Sequence, residues 1–166
     1  MKLITYEGKE CEVDNCIGCD VYDGRIDMSH TIIYEDNNWR VVQDTENPIQ
    51  GFFVVSPKRH FRTLNEMNTE ESKGLLSIII ETRRVMEEVL GIKKITLIQE
   101  DGPDTMHFHP WLFPWYSWMD EIEGNATEKI RKIMQYSREN MRSDDNIKEV
   151  NEALEKVKRS FKPSFY

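Results

Sequence analysis

Between residues 31 and 113 the hydrophobic period of the chain changes twice, and that alternation limits the folds open to it. Thr31-Ile32-Ile33-Tyr34-Glu35 and Trp39-Arg40-Val41-Val42-Gln43 are β-branched and aromatic runs, separated by Asp36-Asn37-Asn38, residue types that tolerate tight turns. The two runs predict a hairpin. Asp44 closes the second strand, a polar loop holds Pro48, and Gly51-Phe52-Phe53-Val54-Val55-Ser56 predicts a third strand ended by Pro57. Strands joined by such short connections pair antiparallel. From Thr69 the period lengthens: Leu75, Leu76, Ile79, Ile80, Met86, Val89 and Leu90 recur at the three- and four-residue intervals of an amphipathic helix. Asn68 with Glu71 forms a capping box, Glu70 and Glu71 suit the positive end of the helix dipole, and Gly91 is placed to terminate it. Ile92 to Ile98 then predicts a fourth strand, Gln99 to Pro103 a turn, and Thr105 to Phe113 a fifth strand. The expectation is an α+β fold, an antiparallel sheet of about five strands with one long packed helix. The apolar run Leu75 to Ile80 is wider than one stripe, so that helix is either deeply buried or meets a second subunit as well as the sheet.

A chain of 166 residues supports one core of ordinary size. The main domain is expected at 1–118. Residues 119–166 are expected to form a helical extension, from Ile130, Ile133 and Met134 and then Ile147, Val150, Leu154 and Val157, packed on the body or on a partner subunit. The net charge of −8 argues against a protein that holds duplex nucleic acid, where cationic phosphate contacts dominate. Within that acidic chain Pro57-Lys58-Arg59-His60 is a local basic cluster, suited to a small phosphorylated ligand or simply solvated at a strand end. No apolar run approaches the ~20 residues of a membrane helix. The opening MKLITYEGKE lacks the features of a signal peptide, so a cytoplasmic chain is expected.

Chemistry-bearing residues gather at two places. Cys16-Ile17-Gly18-Cys19 has the spacing that brings two thiolates to one tetrahedral ion, although two ordinary small residues would read the same. His107-Phe108-His109 falls on the expected fifth strand, where alternation would point both imidazoles to one face about 7 Å apart. That arrangement suits a metal, a phosphate, or a nucleophile with its partner; the plainer alternative is two half-buried polar residues in an aromatic wall.

Taken in order, Cys16 and Cys19, Tyr34-Glu35-Asp36, Asp44, Pro57-Lys58-Arg59-His60 and His107-Phe108-His109 with its following apolar residues resemble the histidine triad (HIT) superfamily over roughly residues 16–116. The resemblance implies a nucleotide-binding fold in which His109 attacks an α-phosphorus to form a nucleotidyl-imidazole that water or another acceptor cleaves. It implies catalytic assistance from His107 and His60 and nucleotide contacts from Asp44 and Gln99, to which Lys58 could add neutralisation of phosphate charge and Trp111 stacking on the base. The implied ligand is a purine nucleotide or a dinucleoside polyphosphate, and the implied assembly is a homodimer. No cofactor is required for that chemistry. A structural zinc would draw on Cys16, Cys19 and His107, with Cys11 or His30 as substitutes for a fourth ligand. Two departures stand out: the third triad position is Trp111, and Phe52 occupies the place after Gly51 where a histidine and zinc ligand is expected. Trp111 cannot relay a proton, so slow hydrolysis, transfer to another acceptor, or nucleotide binding with little turnover all remain open. Trp111, Phe113, Trp115, Tyr116 and Trp118 are either a base-stacking wall or core.

Overall fold

The computed structural model describes residues 1–14 and 16–164; Asn15, and Phe165 and Tyr166 at the end of the expected extension, lie outside the described residues. The chain begins with β1 (Lys2–Ile4) paired antiparallel to β2 (Glu10–Glu12), followed by the short helix α1 (Ile17–Tyr22). Then come β3 (Ile32–Glu35), β4 (Trp39–Gln43) and β5 (Phe53–Pro57), the long helix α2 (Thr69–Glu88), and β6 (Ile95–Ile98) with β7 (Trp111–Pro114). Helices α3 (Ala126–Asn140) and α4 (Asp144–Ser160) complete the order. The main sheet has five strands in the order β3-β4-β5-β7-β6, every pairing antiparallel. This is the α+β architecture expected, and the small β1–β2 hairpin and α1 are additions to it.

Alternation along the strands sorts side chains onto two faces. Val41, Phe53, Val55 and Leu112 share one buried cluster with Leu75, Ile78, Val85 and Met86 of α2. Each such fully buried side chain contributes about 1.5–3 kcal/mol, which fixes α2 against this face. Its start is set by the expected box: Asn68 Oδ1 accepts from Glu71 N and Glu71 Oε2 accepts from Asn68 N. Val42, Val54, Trp111 and Phe113 point the other way and pack with Ile130, Ile133 and Met134 of α3. Helix α4 sets Leu154 and Val157 into the first cluster and Val150 against the β1–β2 hairpin. The helices past residue 118 therefore lie on the body. No described helix is long and apolar enough to cross a membrane.

The fifth strand is shorter than expected, because the chain is diverted before Trp111. The His109 ring bonds back to the His107 carbonyl, and Pro110 has no N–H to give a ladder, although its carbonyl accepts from Val55 N at 2.9 Å. The histidine pair thus sits on an irregular approach to β7, and strand alternation does not govern its geometry.

Candidate active site and metal centre

Two loops are locked side by side. Phe108 N donates to the Phe61 carbonyl at 2.7 Å, and the buried rings of Phe61 and Phe108 stack with centroids 5.2 Å apart. The Arg59 guanidinium grips the buried Glu71 carboxylate through two bonds of 2.8 Å, which ties the first loop to the cap of α2. These contacts place the preceding residues, His60 and His107, next to each other, and α1 lays Cys16 and Cys19 against both. The Cys16 sulfur stands 3.6 Å from His60 Nδ1 and 3.5 Å from His107 Nδ1; the Cys19 sulfur stands 3.2 and 3.7 Å from the same atoms. All four ligand atoms lie within 4.8 Å of one another.

Those separations match a tetrahedral metal site. With metal–sulfur and metal–nitrogen bonds of about 2.3 and 2.0–2.1 Å, a tetrahedron has sulfur–nitrogen edges of about 3.6 Å. The surroundings agree. His107 Nε2 donates to the Pro57 carbonyl at 2.9 Å, which leaves its Nδ1 lone pair facing the cysteines. Burial, and then the neighbouring His60 and His109, lowers the His107 pKa and keeps the ring neutral, as a ligand must be. The backbone N–H of Cys19 turns in to the Cys16 sulfur at 3.3 Å. Burial and then Cys16 push the Cys19 thiol up to about 12, so a bound ion is what would ionise that thiol.

Beside this cluster opens a cleft of about 690 Å³. Val42, Val54 and Trp111 come to it from the sheet, Ile17, Val21 and Tyr22 from α1, Pro103 and Met106 from the loop before β7, and Met134 from α3. His107 and His109 both line it. His109 Nδ1 donates to the His107 carbonyl, an atom that can only accept, so the neutral ring carries its lone pair on Nε2. Asp44 also lines the cleft; its Oδ1 accepts from Glu46 N, Asn47 N and Asn47 Nδ2 at 3.0, 2.8 and 2.7 Å. Burial raises the Asp44 pKa against the lowering effect of those bonds. The charged lining is mostly acidic: Asp14, Asp44, Glu46 and Asp104 face Arg40, whose guanidinium is already paired with Glu35.

The structure places several of the expected site residues away from the cleft. His60 does not line the cleft; its Nδ1 is aimed at the two cysteines, which places it as a candidate fourth ligand beside them. Cys11 and His30 are not substitutes, since the Cys11 thiol approaches the Lys9 carbonyl and the His30 ring is held by Tyr6 and Glu7. Phe52 costs the cluster nothing, because it is buried against Trp111 and Phe113 on the α3 face. Lys58 forms an ion pair with Glu35 and lies outside the cleft lining. The exposed Gln99 donates its amide to the Glu100 carbonyl and is also outside it. Of the aromatic run only Trp111 reaches the cleft, 8% exposed, with the Arg131 guanidinium over its ring at 5.1 Å. Phe113 is core, Trp115 bonds Thr96, and Trp118 leans on Tyr136. Arg40, Asp104 and Asn47 were not singled out by sequence, because nothing local marks them.

The chain belongs to the HIT domain family, whose pattern matches residues 25–117, more than half of its length. Members of that family generally bind and process nucleotides. An uncharacterized HIT-like protein of Methanocaldococcus jannaschii is 24% identical over 111 residues, covering 64% of this chain and 84% of its own. Among solved structures, a zinc-bound histidine triad family protein of Mycobacterium smegmatis superposes with a TM-score of 0.58 at 20% identity, over 87% of this chain and 96% of that one. A HIT-like protein of Bartonella henselae involved in cell-cycle regulation gives 0.57 at 17% identity, over 85% and 98%. At these identities the structures speak for the fold. Cys16 and Cys19 precede the stretch matched to the family, so half of the ligand cluster lies outside it.

Proposed function

We propose that the protein is a nucleotidyl hydrolase or transferase that works through a nucleotidyl-histidine at His109. The observation that carries this is the Nδ1 bond to the His107 carbonyl, which leaves Nε2 as the lone pair available in the cleft. That nitrogen attacks an α-phosphorus, forming a P–N bond while the bond to the leaving oxygen or nitrogen breaks and its electron pair departs with that group. Water then cleaves the P–N bond, giving the nucleoside monophosphate, a proton and the neutral ring. The substrate is a purine nucleotide conjugate, either a dinucleoside polyphosphate or a nucleoside phosphoramidate. Four carboxylates against one guanidinium in the lining disfavour a long polyphosphate, so the acidic cleft supports the phosphoramidate of the two. Asp44 takes the ribose hydroxyls in this reading. His109→Ala should abolish a nucleotidyl-enzyme adduct in intact-mass measurements on substrate mixing; equal adduct in the variant refutes the assignment.

A second reading has its own observation: Trp111 stands at the third triad position with its indole packed on Phe52 and covered by Arg131, so no imidazole serves the leaving group there. The protein would then be a nucleotide-binding module with little turnover. Micromolar AMP binding by calorimetry with no measurable hydrolysis supports it.

The same reading includes a structural zinc on Cys16, Cys19, His60 and His107, supported by the fit of the cluster to a tetrahedron. Four protein ligands close the site, so the ion would clamp α1 to the two loops and leave the chemistry to His109. It also includes a two-fold homodimer. Leu76 and Ile80, 64% and 61% exposed on α2, and Leu97, 54% exposed on the edge strand β6, supply apolar surface for it.

A further inference from the structure

The Asp44 loop is gripped from behind by the C-terminal helices. Asn47 is 1% exposed, and its side-chain nitrogen donates to Asp44 Oδ1, which fixes the orientation of the amide because a carboxylate oxygen only accepts. The amide oxygen therefore faces α3. There the Arg138 guanidinium donates to it at 3.3 Å, and the hydroxyl of the fully buried Ser137 lies 3.0 Å away, sharing one proton between that oxygen and the Met134 carbonyl at 2.8 Å. One turn on, Arg142 donates to the carbonyls of Ile4, Thr5, Glu46 and Arg138, and Asn146 Nδ2 donates to the Pro48 carbonyl at 2.8 Å. With Oδ1 committed to three N–H donors inside the loop, Oδ2 is the Asp44 oxygen that no hydrogen bond among the described residues claims, and it is left to meet a ligand in the cleft.

We propose that the C-terminal extension is a positioning element for nucleotide recognition: Ser137 and Arg138 orient Asn47, and Asn47 aims the Asp44 carboxylate at the ribose. This rests on the reading in which Asp44 holds ribose hydroxyls. None of the three touches the nucleotide; each acts through Asp44. The chain of contacts runs from buried hydroxyl and guanidinium to amide to carboxylate, with no water-sized gap. Loss of the α3 end of the relay lets the amide rotate and frees Asp44 from one geometry, so the hydrogen bonds to the sugar weaken while contacts to base and phosphate stay.

The test is calorimetric titration of the full chain with AMP and with 2′,3′-dideoxy-AMP, for wild type, Asp44→Asn, Asn47→Ala, Arg138→Met and the Ser137→Ala/Arg138→Met pair. Wild type should prefer AMP by roughly 10- to 100-fold, the usual worth of a hydrogen bond to a charged acceptor. The preference should shrink severalfold in the Asn47 and Arg138 variants, while dideoxy-AMP affinity stays near wild type. A merely structural role would lower thermal stability and weaken both ligands together, leaving the ratio intact, and that result overturns the inference. Arg138→Met keeps the aliphatic stem on α3 and serves if Asn47→Ala does not fold. If wild type binds neither nucleotide, the functional reading itself is wrong and the relay falls with it; binding with an unmoved ratio in every relay variant defeats the relay alone.

Discussion

Gly18→Ala tests the metal cluster through a side chain that is not a ligand. A Cβ at Gly18 would stand 2.8 Å from His107 Cγ and 2.9 Å from its Nδ1, whereas ordinary contact begins at 3.4 Å. The ring has no room to yield, since its Nε2 is bonded to the Pro57 carbonyl and the next residue, Phe108, is stacked on Phe61. Helix α1 must retreat instead, by about 0.6 Å, carrying Cys16 and Cys19 with it. Metal–ligand bonds tolerate only about 0.2 Å, so the displaced thiolates cannot keep tetrahedral geometry without a compensating strain. Disturbance of this kind beside a metal site weakens affinity by roughly 10- to 100-fold. Competition against a chromogenic chelator measures it, with Gly102→Ala as control, because nothing lies within 4 Å of a Cβ there. If Gly18→Ala retains one zinc per chain with affinity equal to wild type and to the control, the four residues do not form the site inferred from them.

Trp111→His restores an imidazole at the third triad position, and general acid–base assistance of that kind is typically worth about 100-fold or more, so turnover of a nucleoside phosphoramidate should rise well above wild type. Unchanged turnover would mean that proton transfer to the leaving group does not limit the reaction. Because burial raises the Asp44 pKa, its protonated form is favoured in the folded state; the stability this gives is present below the unfolded pKa and is lost as pH rises through the folded value. Asp44→Asn should flatten that part of the stability–pH curve, and AMP affinity of wild type should fall as pH drops through a value above the ordinary carboxylate range. Coincident curves for wild type and variant would remove the argument. Leu97→Lys should shift the chain from dimer to monomer in light scattering, since a charge on β6 opposes edge pairing; a monomeric wild type would refute the homodimer.

The sheet and α2 were legible because local rules agree with burial there. Asn68 and Glu71 cap the helix as expected, and Gly91 ends it at φ 70°. The apolar width of α2 resolved into two sets, with Leu75 and Ile78 buried and Leu76 and Ile80 left in solvent. The β1–β2 hairpin and α1 gave no signal: strands of three residues and a helix of six are too short to show a period. Residues 105–110 read as strand from composition, yet the His109 ring and Pro110 divert the backbone before pairing starts.

The site divides along the same line. His109 and Asp44 were visible because each is reached from its own motif, and both line the cleft. The place of His60 in the candidate metal cluster was hidden because nothing near it in sequence says which way it faces. That direction is decided by contacts across the fold, Arg59 to Glu71 at 12 residues' separation and Phe108 to Phe61 across 47. With both made, His60 faces the thiols, and what reads as a basic cluster supplies one of the four residues of the candidate metal site. Asn47 follows the same logic: a loop asparagine between Glu46 and Pro48 looks like turn chemistry, and it is Ser137 and Arg138, about 90 residues on, that would make it part of a recognition device. In both cases the residue type was readable and its contacts were not, because those are set by which distant group claims the other end of a planar, two-ended side chain.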